Sequence, residues 1–586
     1  LRLLALLTRL ALKFSTLVGE NRALLQFVLG ALALALGFWG WSIKEPVHDW
    51  SGWLNNFFRT LQLITLHFPT EFNGDIPWPL QVARLLVPLI AVSATFHILL
   101  GGVTRPLRLA LLPHMRDHVV LIGEAQLAQA ALIRLAEGER QTVALAQAFD
   151  AARRDTLEGL GLTVLEADPK QPATFKALNL QQAGALFVAG ADDLENINLA
   201  LLAVRALDKR PSDQPPLALA VKIDREDLAC ELAAALDGIA RRHGVRYHRL
   251  CPDRDGLRIE LARFAPVFTK PDRAVASHVL ILGLQGRWEQ AFGQILVASQ
   301  DHPARRPNIT LALSAGERAA FETWRAARPD LPLIADVRCL DFPSPDDEAG
   351  KIVAACGAPH LAVVLLDGAD AIAAALALRR SSAFAAAATP VLVRQSREDF
   401  LLSALRDTET SDRNHKNLVA FSGPVRFESV ARVLDRAGDE SAMALHAHYL
   451  EGGARLRPGS TAALAAWDDL PENLREANRA SADHMAILFA SEGLTLADAA
   501  GLERVVNDSL ALDRLARVEH RRWMADRIER GWRFGETRDN ARLIHPSLKP
   551  YETLSDTEQE KDRRTVRVLA KLAAEPPLAG RSNRNG

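Results

Sequence analysis

The chain of 586 residues has only four cysteines, Cys230, Cys251, Cys339 and Cys356, and none has the close paired spacing of a zinc site or redox motif. A disulfide-stapled secreted fold is thereby excluded, and a reducing cytosolic compartment fits. A charge excess is missing too. Lys+Arg at 70 against Asp+Glu at 71 gives a formal net charge of −1, so nothing global favours nucleic acid as a partner. Nothing near the start resembles a small-residue cleavage site, which argues against a removed secretory signal. No His/acid or Cys/His arrangement has a spacing that chemistry would need, so no catalytic residue and no metal ligand is assigned and the expectation is a protein that is not an enzyme. The length exceeds what one core organises, and several folded units are expected.

What the chain does have is long apolar runs. Residues 23–43, ALLQFVLGALALALGFWGWSI, and 85–103, LLVPLIAVSATFHILLGGV, are uncharged and each about 20 residues long, enough to span a hydrocarbon core of about 30 Å. Arg2, Arg9, Lys13 and Arg22 precede the first, and Arg105, Arg108 and Arg116 follow the second, which places both flanks and both termini in the cytosol. Trp39, Trp41, Trp50, Trp53 and Trp78 fall where an outer interface would be. Residues 1–20 read as an amphipathic helix on the inner surface. Each run also reads as a buried core helix.

Between the runs, residues 52–72 show one apolar helical face through Trp53, Phe57, Phe58, Leu61 and Ile64, and then irregular chain. A short helix followed by such chain between two spans is the layout of a re-entrant loop, with Thr65, His67, Phe68, Thr70 and Glu71 as pore residues. An interfacial helix without a pore is the alternative. The layout resembles two-span potassium channels, although Leu66 to Glu71 stands in place of their Thr-Val-Gly-Tyr-Gly filter.

From Asp117, DHVVLIGEAQLAQAAL reads as strand, glycine turn and helix, the start of a mononucleotide-binding unit. Gly123 is present, but Ala125 and Ala128 replace the next two glycines of GxGxxG, and the following strand ends at Gln147 instead of an acid. VLEADP, ALFVAGADDLENIN and LALAVKIDRED continue the series. This part resembles the RCK or TrkA-N family, and the resemblance implies a nucleotide or ion pocket at Gly123, Asp168, Asp192, Asp193 and Asn196. Asp192 with Glu195 also reads as a capping box. A second copy starts at Ser277, where SHVLILGLQGRWEQAF mirrors the first start, and HLAVVLLDGADAI mirrors the ALFVAGADD segment. Trp288 would crowd a phosphate there, so this copy reads as scaffold.

The C-terminal run from Leu515 carries Glu519, His520, Trp523, Arg527, Gly531 and Trp532, then His545, Pro546, Pro550, Tyr551, Leu554, Ser555, Asp562 and Arg563. These spaced residues resemble the repeat domain of ryanodine receptors, whose bacterial members look like sensors of nucleotide-derived signals. His520, Trp523 and Arg527 share one helix face. With Arg522, Tyr551 and Arg563 they form the expected ligand site, where aromatic rings stack and guanidinium forks take phosphate. Trp532 reads as part of the domain's own core.

The expected architecture is therefore multidomain: an interfacial helix (1–20), a two-span α-helical membrane domain with a re-entrant loop (21–115), and two α/β Rossmann-like lobes (116–275 and 276–438). A mainly α-helical domain of the ryanodine-receptor type (439–575) and a disordered tail (576–586) follow. The expected function is a ligand-gated ion channel of the plasma membrane, working as a homo-oligomer, a tetramer by expectation. Its partners would be the lipid bilayer, a monovalent cation and a small nucleotide-like ligand, with no nucleic acid. No cofactor is required beyond that nucleotide or nucleotide-derived messenger. The alternative is a membrane-anchored nucleotide sensor that acts by clustering or partner recruitment without conduction.

Overall fold

A computed structural model describes residues 22–574 apart from 66–74, 124–139, 208–209, 211–213, 264–276, 287, 343–350, 353, 382–383, 385–388, 395–417, 422–429, 431, 435–438 and 454–464. The chain divides into two compact units, Leu1–His114 and Met115–Gly586.

In the first unit, helices α1 (Arg22–Lys44), α2 (Trp50–Gln62) and α3 (Trp78–Leu111) pack around Ala33, Trp41, Leu63, Leu80, Ala83 and Val87. Small residues make the contact close: a Cβ on Gly40 would lie 2.6 Å from the Leu80 backbone nitrogen, and one on Gly37 2.9 Å from the Thr60 methyl. Asp49 caps α2 by accepting from the Gly52 N–H at 2.7 Å. Trp41 is buried in this small core and Trp39 packs edge-on against Trp78, so these indoles serve helix packing. Apolar side chains also remain on the surface, among them Leu29, Leu32, Trp50, Phe58, Leu85 and Leu89.

No helix among the described residues is long and apolar enough to cross a membrane. That finding corrects the two-span membrane domain, and with it the ion-channel function, the potassium-channel likeness and the multi-pass plasma-membrane location. The lipid bilayer and the permeant cation lose the basis on which they were expected. The physical reason for the difference is that an uncharged run carries the same signal whether its apolar face is buried in lipid or against other helices. Of the pore residues, Thr65 donates its hydroxyl to the Gln62 carbonyl at 2.9 Å, whereas His67, Phe68, Thr70 and Glu71 lie outside the described residues, as do 1–20 and 576–586.

The second unit contains two parallel sheets. Strands β1 (Val119–Gly123), β2 (Thr142–Ala146), β3 (Thr163–Glu166), β4 (Ala185–Ala189), β5 (Leu217–Lys222) and β6 (Val245–Leu250) are ordered β3-β2-β1-β4-β5-β6. Strands β7 (His278–Leu282), β8 (Asn308–Leu313), β9 (Asp336–Asp341), β10 (Leu361–Val364), β11 (Val391–Arg394) and β12 (Leu418–Phe421) repeat that order as β9-β8-β7-β10-β11-β12. Both are the doubly wound dinucleotide order, with the switch between the first and fourth strands. Leu121 sits between Ala144 and Phe187, and Ile281 between Leu311 and Val363. Runs such as VVLIG and LAVV are apolar on both faces because helices cover both sides. The edge strand β9 instead alternates, with Asp336, Arg338 and Asp341 in its sequence.

The helices that position the sites are α4 (Ala151–Gly159) and α5 (Asp193–Arg205) in the first lobe, α6 (Pro252–Arg263) after β6, and α7 (Trp288–Ala298) and α8 (Ala315–Ala326) in the second. Beyond them come α9 (Glu472–Asp483), α10 (Ser509–Glu529) and α11 (Asp556–Ala574). Ser314 and Glu317 form a full capping box at α8. The core of the second lobe continues into the C-terminal part through Ile487, Met524, Ala525, Ile528 and Leu548. Gly293 of α7 permits this approach, since a Cβ there would lie 2.5 Å from the Glu529 carboxylate.

Candidate functional site

At the carboxyl end of the first sheet, Gly123 takes φ +119° and its carbonyl accepts from Arg153 at 2.9 Å. The acids and amide expected beside it are engaged with the protein itself. Asn196 accepts from the Gly190 N–H at 2.7 Å and donates to the Lys222 carbonyl at 3.0 Å. Asp193, buried, accepts from the N–H groups of Asp224 and Arg225 at 3.1 and 2.8 Å. Asp192 caps α5 through the Glu195 N–H at 2.8 Å, while Glu195 turns to Lys170 at 3.0 Å, so the reciprocal half of a capping box is replaced by an ion pair. Asp168 accepts from the Lys170 N–H at 2.9 Å in its own turn.

In the second lobe the matching crevice is filled from within. Arg394, at the end of β11 and buried, donates to the Gln285 carbonyl and pairs with Asp367. Its guanidinium lies 2.9 Å from where a Cβ on Gly286 would be. The N–H groups of Gly283, Leu284 and Gln285 are bonded to the Ala312 carbonyl, the Glu317 carboxylate and the Leu365 carbonyl. Trp288 does not crowd this turn: it is buried in a ring cluster with Phe292, Phe321 and Trp324, with centroids 5.8–6.1 Å away.

In the C-terminal domain most of the expected ligand residues hold the fold. His520 has both ring nitrogens engaged, one at 2.9 Å from the Lys549 carbonyl and the other at 3.0 Å from the Asp562 carboxylate. Arg522 forks onto Glu519 with two bonds of 2.9 Å. Tyr551 and Arg563 converge on Asp513, at 3.0 and 2.7 Å. Burial would push the Asp513 carboxyl up, but bonds from Arg563 and Tyr551 and the charges of Arg563 and Arg517 hold it below the usual range.

Trp523 and Arg527 are placed differently, because α10 ends in a Schellman turn. Gly531, at φ +84°, donates to the Ile528 carbonyl at 3.0 Å, and Trp532 donates to the Arg527 carbonyl at 3.0 Å. The turn folds Trp532 back so that the Arg527 guanidinium lies 5.4 Å from its ring centroid. His545 of the short strand β13 (Ile544–His545) stands edge-on to both indoles, at 4.9 Å from Trp523 and 6.1 Å from Trp532.

Arg527 makes no ion pair and no side-chain hydrogen bond among the described residues. Burial lowers its pKa, and of the charges around it Asp526 opposes that while Arg530, Arg522 and Arg538 reinforce it. Burial, with Arg538 and Arg527, also pushes His545 down to about 4, so that ring is neutral. Its Nδ1 accepts from the Ser547 N–H at 3.1 Å, which leaves the proton on Nε2. The result is a half-buried cation–aromatic cleft of Trp523, Arg527, Trp532, His545 and the exposed Arg538. Trp532, Arg538 and His545 were not among the ligand residues expected from sequence. The GW pair at the end of a long helix was the available signal, since Gly there permits the fold-back that carries Trp532.

Residues 506–574 match the family model described as RyR domain. Among solved structures, the chain is similar to the GsuK channel, with 15% identity, a TM-score of 0.34, and 71% of this chain and 97% of that chain covered. It is likewise similar to GsuK bound to ADP, with 14% identity and a TM-score of 0.33, where 71% and 96% are covered. For the GsuK channel bound to NAD the identity is 11% and the TM-score 0.32, with 73% and 84% covered. Likeness at these values does not carry activity from one protein to another.

Proposed function

We propose that this chain is a non-catalytic sensor of a small anionic, nucleotide-like ligand held at the cation–aromatic cleft of the C-terminal domain. The observation that carries this reading is Arg527: a half-buried guanidinium over the Trp532 ring with no carboxylate bonded to it among the described residues, in a domain where Arg522 and Arg563 are both paired. A phosphate would supply the missing charge-assisted bonds, and a base would lie on the outer indole face. His520 has both ring nitrogens held inside the domain, by the Lys549 carbonyl and the Asp562 carboxylate, so neither faces the cleft, which supports retention of a ligand over turnover. The response is proposed to be a change in how copies of the chain associate, for which the apolar side chains on the surface of the first unit supply contact area.

Isothermal titration of the full chain with ADP tests the site. One lost charge-assisted bond is worth about 1.5–3 kcal/mol, so Arg527→Met is expected to weaken binding by roughly 10- to 100-fold. Arg563→Met, which cuts the bond to Asp513 instead, is expected to change affinity less than about threefold. An unchanged affinity for Arg527→Met would remove the cleft as the site. Sedimentation with and without ADP reads the association state.

A further inference from the structure

The cleft is built on the last turn of α10, and the same turn is gripped from outside by the second lobe. The Schellman bonds satisfy the Arg527 and Ile528 carbonyls, and the carbonyl of Glu529 comes next at the helix end. Arg328, just beyond α8, takes it with a fork: Nε at 2.9 Å and Nη2 at 2.8 Å from the Glu529 oxygen. A cation at this position also suits the negative end of the helix dipole. The guanidinium lies 4.1 Å from the Trp324 ring centroid and its third nitrogen donates to the Trp324 carbonyl at 3.2 Å. Trp324 belongs to the ring cluster at the centre of the second lobe, with Phe292 at 5.2 Å and Phe321 at 5.9 Å. Two residues on, Asp330 accepts from the Phe534 N–H at 2.8 Å, holding the chain just after Trp532. The second lobe is thus bonded to the backbone once between Arg527 and Trp532 and once just after Trp532.

We infer that occupancy of the cleft is transmitted to the second lobe through this clamp, Arg328 on the Glu529 carbonyl and Asp330 on the Phe534 N–H. The inference rests on the cleft reading and adds its output path. A ligand that draws Arg527 or Trp532 towards it must shift the turn between them, and Glu529 lies inside that turn. Because Arg328 bonds to Glu529 through two nitrogens and to Trp324 through a third, the displacement reaches an aromatic core that is close-packed and does not absorb it locally. The clamp transmits only the difference in ligand affinity between two arrangements of the turn.

Hydrogen exchange of the full chain, with and without ADP, reads the effect in α8 and residues 327–334. In the unaltered protein ADP is expected to slow exchange there severalfold. In Arg328→Met, titration is expected to show ADP affinity within about threefold of the unaltered protein while the exchange change is lost. Arg328→Lys, which keeps the charge and the stem over Trp324 but not the fork, serves if the Met variant fails to fold, and is expected to lose most of the change. Binding with an undiminished exchange change in both variants overturns the clamp and leaves the cleft standing. No binding to the unaltered protein overturns the cleft reading and the clamp with it.

Discussion

Replacing Arg479 with methionine is expected to destabilise the second unit by about 3–5 kcal/mol, read as a fall in the urea midpoint of unfolding. The side chain is 5% exposed on α9 and is fully engaged: Nε and Nη2 meet the two Asp439 oxygens at 2.8 and 2.7 Å, and Nη1 meets Glu472 at 2.8 Å. Removing it takes from two buried carboxylates the cation they share, leaving Asp439 to Arg432 at 3.3 Å and Glu472 to Arg475 at 2.7 Å, and a weakened buried pair costs far more than an exposed pair is worth. Nearby, Arg254 pairs with Glu476, Arg258 with Asp483, and Arg475 reaches the Tyr247 carbonyl of β6. These pairs join the first lobe and α6 to α9, around a polar cavity lined by residues such as Arg249, Arg254, Glu472, Arg479, Asp526 and Arg530.

Adding Asp439→Asn to the Arg479 variant is expected to recover part of the loss, because the acid left with Arg432 as its partner among the described residues loses its charge. A single-variant loss under about 1 kcal/mol would mean that Arg432 and Arg475, and not Arg479, compensate those acids. Burial alone would raise the Glu476 carboxyl, but Arg254, Arg530 and Arg249 overturn that and hold it at about 2. A carboxyl depressed in the folded state stabilises above its unfolded value. Its contribution is therefore fully present at neutral pH, where it does not vary with pH, and fades as pH falls from about 4.5 towards 2.

The second large effect is expected from Gly123→Ala, a loss of about 3 kcal/mol or more in the first lobe. Two costs coincide. At φ +119° an L side chain is strained, and the new Cβ would lie 2.4 Å from the Ala189 carbonyl carbon and oxygen and 2.7 Å from the Gly190 nitrogen. Those atoms are backbone at the end of the neighbouring strand β4 and of the residue that follows it, so relief requires parting the sheet at its switch point. Gly159→Ala is the matched control. It lies at the end of α4 with no atom within 4 Å of its would-be Cβ, and is expected to be neutral or to stabilise by up to about 1 kcal/mol. Equal midpoints for the two variants would rule out a strained close approach at Gly123.

The strand runs were legible because their signal is local. VVLIG, ALFVA, HVLIL and LAVV are short, apolar on both faces and followed by glycine turns or capped helices, and the repeat of that series from Ser277 appears in space as a repeat of strand order. The site was legible only in part. Helical spacing places His520, Trp523 and Arg527 on one side of α10, and His520 and Trp523 do stack there. Spacing does not record which lone pairs are already spent, and so it cannot separate His520, bonded at both nitrogens, from Arg527, bonded at none among the described residues. Asp193 and Asn196 show the same limit, since both are polar residues at strand ends whose groups are consumed by neighbouring backbone.

Apolar runs with glycine turns, together with the resemblance to the RCK or TrkA-N family, pointed to two Rossmann-like lobes, and composition to the helical character of the C-terminal part, because apolar period and turn chemistry are properties of adjacent residues. Tertiary structure alone decided three things: that the uncharged runs at 23–43 and 85–103 belong to helices packed on one another, that Arg394 fills the second crevice, and that Arg527, among the described residues, is left with no bonded carboxylate beside Trp532. Each depends on which distant groups meet. Desolvation and hydrogen bonding act through space, and the order of residues along the chain does not reveal them.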